Sequence, residues 1–433
     1  MIESNVQQKM NNNCSSRSGR TCALTIQAGL MKNKVAFHVI ANAALGPGLS
    51  GGDRIFIECA RRWARAGHKV NVYVWEEGYE MCGRNRLAGV QYVLWSVERY
   101  KKFGFLFLYL IRLIKGVAEA FRWKTSTKQE IVYSASEFPM DLLPAWIVKL
   151  RYPKIRWVAS FYLFIPSPFS KLSPYKGLQR IKNLVYFMSQ ALAVQVIKKY
   201  ADMVWVTNEL DRWRFVDNRK LTPDKVVAVK GGVDTRTPAL VPEPKEKTFD
   251  AVFIGRFHPQ KGVLELIEIW KRVCKKKRDA KLVMIGIGDL ESEVKEKIRK
   301  YGLENNITLL GFKDGVEKLK IFKESKVVVH PAIYDSGGMA ACEAMACGLP
   351  GVSFDLSVLR TYYPKGMLKT PCYDLKRFAQ NIMKLLNDRE LYKKVSEDAL
   401  AWAKEWDWDK RALELLTCLE KLIEVHDEYK QLQ

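Results

Sequence analysis

Two acids, Asp335 and Glu343, stand eight positions apart on either side of a turn containing Gly337 and Gly338. The surrounding stretch, Val327 to Val352, reads VVVHPAIYDSGGMAACEAMACGLPGV. Val327 to Val329 are β-branched and apolar, the pattern of a strand buried on both faces. His330 to Gly338 carry Pro331 and two glycines, so the chain must turn at the end of that strand. Met339 to Cys347 are small or helix-forming residues, and Gly348 followed by Pro350 is a stop signal. The spacing predicts strand, glycine turn and helix, with the positive helix end and its backbone N–H groups facing whatever lies at Gly337 and Gly338. Glu343, among Ala, Met and Cys, needs a polar partner, because a buried carboxylate without one is costly. An acid, an anion-binding turn and a second acid suit a phosphate with hydroxyls on both sides, the layout of a nucleoside diphosphate-sugar. The alternative makes Asp335 an N-cap and Glu343 a structural acid.

The segment resembles the acid-x7-acid signature of the retaining, GT-B-fold family-4 glycosyltransferases, usually Glu-x7-Glu followed by AMACGLP. Asp335 replaces the first Glu, while Glu343, Ala344, Met345, Ala346, Cys347, Gly348, Leu349 and Pro350 fit. The resemblance implies an α/β chain of the GT-B class: two Rossmann-like, doubly wound domains facing a cleft, with a C-terminal helix crossing back to the first domain. It also assigns roles. Glu343 would hold ribose hydroxyls, Asp335 sugar hydroxyls, and Ser336, Gly337, Gly338 and Met339 the donor phosphates.

A second turn supplies the cations. Phe249 to Ile254 read as a strand, Val263 to Val273 as a helix, and between them runs Gly255-Arg256-Phe257-His258-Pro259-Gln260-Lys261-Gly262. In the family, the Arg and Lys of such a turn grip the donor diphosphate, which implies that role for Arg256 and Lys261. A solvated surface pair is the alternative. Leu282 to Ile285 and Ile307 to Leu309 are further strands; Gly286 follows the first, Gly311 and Phe312 the second, near where relatives hold the base. Trp406-Asp407-Trp408-Asp409 contains Asp-x-Asp, read here as a helix start rather than a metal site. No metal or other cofactor is expected, since nine cysteines show no ligand-type clustering. Cys342 and Cys347 suit packing.

The first half of the chain has its own βαβ unit. Lys34 to Ala41 read as a strand, and Val70 to Trp75 as the next. Leu49 to Arg54 read as a glycine turn into a helix from Ile55 to Ala66. Gly51 and Gly52 match the family's Gly-Gly loop, which implies an approach to donor or acceptor. His38, inside its strand, reads as a core residue. Relatives often place a His near the stretch 161–180, but no His occurs between His68 and His258, so Ser160 or Tyr162 would have to substitute. Lys101 to Lys124 have an apolar run too short for a bilayer span, which needs ~20 residues. Basic flanks and aromatics suit an interfacial helix or a core helix.

Residues 1–240 hold 37 Lys and Arg against 17 Asp and Glu; the remainder holds 34 against 30. Of the net +24, +20 thus belongs to the first 240 residues and +4 to the rest, and the stretch from Arg151 to Tyr200 holds nine basic residues and no acid. That asymmetry calls for an anionic partner. The expected domains are a disordered tail (1–32), an acceptor-side domain (33–236), a Pro-rich linker (237–247), a nucleotide-sugar-binding domain (248–400), and a crossover helix with tail (401–433). KGGVDT, Lys230 to Thr235, resembles the turn by which the family leaves the first domain. The expected function is sugar transfer from a nucleotide-sugar donor to a membrane-borne acceptor with retention of configuration. The site would be cytoplasmic and peripheral on an anionic membrane; nucleic acid is not an expected partner, for no such module is recognisable. A nucleotide-sugar epimerase of similar fold, or a non-catalytic sugar- or polyanion-binding protein, is the alternative.

Overall fold

The computed structural model describes residues 34–44, 49–125, 129–170 and 177–431. The expected tail, 1–32, lies outside them. Two compact units emerge, changing over at Gly231/Gly232 and again at Asp407/Trp408. The Pro-rich stretch 237–247 falls within the second.

The first unit is built on seven parallel strands: β1 (Ala36–Ile40), β2 (Lys69–Val74), β3 (Gln91–Leu94), β4 (Glu130–Ser134), β5 (Arg156–Phe161), β6 (Met203–Val206) and β7 (Val226–Ala228). Their spatial order is β3-β2-β1-β4-β5-β6-β7. The order reverses beside β1, whose Ile40 is in register with Tyr73 of β2 and Ser134 of β4. Helices α1 (Gly51–Arg65), α2 (Glu76–Arg84), α3 (Phe105–Arg122), α4 (Pro139–Arg151) and α5 (Leu178–Tyr200) link these strands. Right-handed crossovers put α1 and α2 on one face and α3, α4 and α5 on the other. β1 and β4 are buried along their whole length, as parallel strands covered on both faces must be. Ile40, Val132, Trp157, Phe161 and Phe215 build a core cluster of this unit.

Helix α1 starts earlier than the glycines suggested. Ser50 is its N-cap, accepting from Asp53 N while Asp53 accepts from Ser50 N, so Gly51 and Gly52 lie in its first turn rather than in a preceding loop. Two short polar side chains three residues apart outweigh the two glycines, because they satisfy N–H groups at the helix end. Helix α3 divides the two readings offered for Lys101 to Lys124. Leu108, Arg112 and Ala120 are buried, while Phe107, Leu110, Ile114 and Phe121 face outward. Among the described residues, no helix is long and apolar enough to cross a membrane.

The second unit has six parallel strands: β8 (Phe249–Ile254), β9 (Leu282–Ile285), β10 (Ile307–Leu309), β11 (Ser325–His330), β12 (Gly351–Phe354) and β13 (Met367–Thr370), in the order β10-β9-β8-β11-β12-β13. Its helices are α6 (Val263–Cys274), α7 (Glu291–Tyr301), α8 (Gly315–Lys323), α9 (Met339–Met345), α10 (Ser357–Tyr362), α11 (Leu375–Asn387) and α12 (Arg389–Lys404). Cores lie on both faces: Trp270, Phe354 and Phe378 in one cluster, Phe322, Met345, Tyr363 and Trp406 in another. Here the order reverses between β8 and β11, the crevice at which doubly wound sheets bind ligands.

The chain then returns to the first unit. Helix α13 (Trp408–Gln431) packs against α1, where Arg62 Nε donates to Asp409 Oδ1 at 2.8 Å. Asp407 Oδ2 accepts from Thr235 Oγ1 at 2.6 Å. Each carboxylate of the Asp-x-Asp segment therefore has a partner of its own at a helix start.

Candidate functional site

All the second-unit residues singled out in the sequence gather at the carboxyl ends of four adjacent strands. Gly255 to Lys261 follow β8, Gly286 follows β9, Gly311 and Phe312 follow β10, and Asp335 to Met339 follow β11. The loops are laced together through the backbone. Gly255 N donates to Ile285 O at 3.0 Å, Gly286 N to Gly311 O at 2.8 Å, and Ile333 N to Gln260 O at 3.0 Å. Gly286 is needed for a close backbone contact. Its φ is +146°, and a Cβ there would come within 1.9 Å of the Gly255 carbonyl oxygen.

The cation turn and the acid turn meet in one ion pair. Lys261 Nζ donates to Asp335 Oδ2 at 2.6 Å, and both side chains are largely buried. His330 Nε2 lies 3.3 Å from the same oxygen. Burial pushes the Asp335 carboxyl up, but the Lys261 ammonium and His330 outweigh it and hold it far below the usual carboxylate range. Arg256, two residues beyond β8, is exposed.

Asp335 is not the cap of α9, a place taken by Gly338. It caps the turn instead, its Oδ1 accepting from Ser336 N at 2.9 Å and Gly337 N at 3.3 Å. Those two amides therefore point at the carboxylate. The glycines are required by what lies beneath them. A Cβ on Gly337 would come within 2.6 Å of the Tyr362 ring, and one on Gly338 within 2.6 Å of the Tyr363 hydroxyl.

Glu343 meets its polar partner within the protein. Its Oε2 accepts from Lys318 Nζ at 2.9 Å, and Lys318, buried on α8, also donates to Asp314 Oδ1 at 2.7 Å. Lys318 carried no sequence signal, being 25 residues away on a helix with alternating charge. His330 was visible as a polar residue ending an apolar strand, though nothing in the sequence aimed it at Asp335.

Gly51 and Gly52 belong to the first unit. The first unit has its own reversal point, between β1 and β4. Asp141 ties its loops together, Oδ1 accepting from Ala43 N at 2.7 Å and Oδ2 from Ser136 Oγ at 2.5 Å; burial raises this carboxyl to about 7. Ser160 and Tyr162, the candidates to replace the absent His, are both buried. Ser160 Oγ donates to Tyr133 Oη at 3.2 Å, and the Tyr133 and Tyr162 hydroxyls are 2.6 Å apart. The Tyr162 ring lies against Gly52, where a Cβ would approach it to 2.8 Å. Both side chains are drawn into the core. His38 is also a core residue, its Nδ1 2.9 Å from the Tyr73 hydroxyl. Among the described residues, no group of three His, Cys, Asp or Glu could hold a metal ion.

Residues 240–402 match the family model described as Glycosyl transferases group 1. An uncharacterized glycosyltransferase of Methanocaldococcus jannaschii, MJ1059, is 27% identical over 274 residues, covering 54% of this chain and 67% of that protein. The poly(glycerol-phosphate) alpha-glucosyltransferase of Bacillus subtilis is 26% identical over 195 residues, covering 44% of this chain but 28% of its own. Among solved structures, Anabaena HepE in complex with UDP and glucose superposes with TM-score 0.66 at 14% identity, covering 89% of this chain and all of its own. A point mutant of S. aureus TarM, in complex with fondaparinux, alpha-GlcNAc-glycerol and UDP, gives 0.70 at 13%, covering 89% and 99%. These structures share the fold: two Rossmann-like domains of the GT-B kind.

Two measurements check this description. Gly286→Ala should destabilise the protein by at least ~2 kcal/mol, since backbone and side chain cannot both be accommodated; an unchanged midpoint in urea unfolding would contradict the close approach. The histidines give a pH signature. Burial and Arg256 pull His258 down to about 4, and burial lowers His330 against the attraction of Asp335. Asp289 and Lys261 are the other charges acting on His258. Unfolded histidine takes its proton near pH ~6.5, so the unfolded chain binds more protons in mild acid. The contribution of these two groups to stability should fall as pH drops from ~6.5 toward ~4, at up to ~1.4 kcal/mol per unit for each, whereas the raised carboxyl of Asp141 acts in the opposite sense over the same window. The depressed Asp335 contributes above pH ~4 and is lost only below it. The melting temperature of the wild type relative to that of His258→Asn should therefore decline as pH falls over this range; parallel curves would rule His258 out.

Proposed function

We propose that this chain, whose residues 240–402 carry the glycosyl transferases group 1 domain, moves a sugar from a nucleoside diphosphate-sugar to an acceptor borne on a membrane, with retention of anomeric configuration. The observation that carries the reading is the joining of the Arg256–Lys261 turn to the Asp335–Glu343 turn at the strand reversal between β8 and β11. Cations and acids there lie at adjacent loops in the crevice where this sheet type binds nucleotides. The UDP and UDP-glucose complexes of structural neighbours lend support and make UDP-sugars the first donors to try.

Leaving-group departure is the chemical problem. Negative charge grows on the diphosphate as the glycosidic bond breaks, and Arg256, Lys261 and the Gly338 and Met339 amides answer it electrostatically. Before donor arrives, the Lys261 charge is balanced by Asp335. An incoming diphosphate competes for that ammonium and leaves Asp335 to accept hydrogen bonds from sugar hydroxyls. Glu343 takes the ribose hydroxyls, its carboxylate positioned by Lys318. The acceptor hydroxyl then attacks the face from which the leaving group departs, which gives retention. Two cations stabilise the leaving group in this scheme, so no metal or other cofactor is required of it.

Asp335→Asn separates the roles. The amide still accepts from Ser336 and Gly337 but no longer holds Lys261 by charge. Turnover of the preferred UDP-sugar should fall about 10²-fold, as losses of transition-state contacts do, while calorimetric affinity for UDP stays level or rises. UDP affinity falling in step with turnover would make Asp335 merely structural. A second check concerns metals: transfer should continue in excess EDTA, and abolition by EDTA with rescue by manganese would reject the two-cation mechanism.

A further inference from the structure

The N-terminal half of α5 is inside out. Its inward residues are polar: Asn183 Nδ2 donates to Pro166 O at 3.1 Å, and Gln190 Nε2 to Leu163 O at 2.6 Å and to Glu137 Oε1 at 2.9 Å. Gln190 Oε1 accepts from Ile165 N at 3.0 Å, and Tyr186 Oη donates to Glu137 Oε1 at 2.5 Å. These contacts satisfy the backbone of an irregular segment, 163–166, that would otherwise be left with unpaired buried groups. The outward residues are apolar. Ile181, Val185, Met188 and Leu192 are 60%, 65%, 61% and 71% exposed. Their spacing of four, three and four puts them on one stripe, about 16 Å long at 1.5 Å per residue.

Phe169, 73% exposed with Arg180 over its ring, adds a fifth large side chain near the start of this helix. Arg180, Lys198 and Lys199 are exposed at the two ends of α5. No acidic residue occurs from Arg151 to Tyr200, so the sequence of this stretch has no negative charge to offset them. Helix α4 packs against both α5 and α3, whose Phe107, Leu110, Ile114 and Phe121 are also exposed.

We infer that the α5 stripe is the surface by which this protein lies on an anionic lipid bilayer, its apolar side chains entering the headgroup boundary and its basic ends meeting lipid phosphates. The inference rests on the reading of the acceptor as membrane-borne and names the residues that dock. Charge selects the occupant. A second copy of the chain would bring another strongly basic half to the same face, whereas acidic headgroups complement it. The geometry is that of an interfacial helix, apolar along one side with cations at its margin. It falls on α5 rather than solely on the Lys101 to Lys124 segment that the sequence had suggested.

The test floats the full chain with vesicles of phosphatidylcholine alone and of phosphatidylcholine with about one quarter phosphatidylglycerol, at ~0.1 M and ~0.5 M NaCl. The wild type should float with the anionic vesicles at low salt, and at least tenfold less with neutral ones or at high salt. Val185→Asn combined with Met188→Asn should lower flotation on anionic vesicles at least tenfold. An independent pair, Ile181→Ser with Leu192→Ser, should do the same. All four side chains are exposed, so melting temperature and UDP affinity should match the wild type. Undiminished flotation of both double variants overturns the proposal. So does a wild type that sediments as a dimer without lipid, becomes monomeric in the variants and ignores vesicles, because the occupant is then a second copy. The two readings fail separately: flotation reports docking alone, while absence of binding to UDP, GDP and ADP alike alongside stripe-dependent flotation would sink sugar transfer and leave the docking surface standing.

Discussion

Two loops of the second unit, one carrying Lys261 and the other Asp335, are joined by a largely buried ion pair alongside backbone hydrogen bonds from Ile333 and Tyr334 to the Gln260 carbonyl. Removing one partner of such a pair costs about 3–5 kcal/mol, because the other is left buried and unbalanced. The pair forms only because β8 and β11 are neighbours, which brings the turns after them side by side at the reversal of strand order. Around it the packing allows little latitude. Tyr362 and Tyr363 fill the space under Gly337 and Gly338, and the Gly255 carbonyl fills the space beside Gly286. The turn is thus shaped from below by aromatics and from the side by backbone, with the carboxylate of Asp335 organising its first two amides.

The first unit meets the same constraint differently. At its own reversal point Asp141 bridges the loops after β1 and β4 through an amide and a hydroxyl, and burial raises this carboxyl to about 7. Nearby, the Arg112 guanidinium lies 3.8 Å over the Trp75 ring and donates to the carbonyls of Asn42 and Ala44. Hydrogen-bonded groups lock one set of loops in place; an ion pair together with backbone hydrogen bonds holds the other. In the proposed function, an ammonium released from the Asp335 carboxylate would serve a phosphate without any loop having to refold.

Charge follows the same division of labour. The excess of basic residues lies in the first 240 positions, while the remainder is nearly balanced. In the second unit most charges are paired locally, as at Lys318 with Asp314 and Glu343 or Lys326 with Asp250. In the first, the stretch from Arg151 to Tyr200 contains no acid of its own, and Arg156 pairs with Asp202 just beyond it. The field therefore extends outward from the same helix that turns its apolar residues to the outside, so charge and exposed apolar area are features of one surface.

Much of this was legible in the amino-acid order. The strands at Phe249–Ile254, Leu282–Ile285 and Ile307–Leu309 are found where short apolar runs ended by glycine predicted them, because a parallel strand buried on both faces admits little else. The glycine turn before Glu343 and the cation turn after β8 were likewise visible, since turns and helix stops depend on local backbone preferences. Partnership was not visible. That Lys261 faces Asp335, that Lys318 holds Glu343, and that Ser160 and Tyr162 are drawn to Tyr133 are contacts across 74, 25, 27 and 29 residues, set by which strands lie side by side. Nor could periodicity reveal which side of α5 faces inward: an apolar stripe predicts burial, and only the irregular segment beneath it, with backbone groups needing donors and acceptors, turned the polar side in. The sequence alone determined the elements and the residue types able to grip a diphosphate, because these follow from short-range preferences. Tertiary structure decided which charges meet and which apolar side chains are left to the outside, because both depend on neighbours distant in the chain.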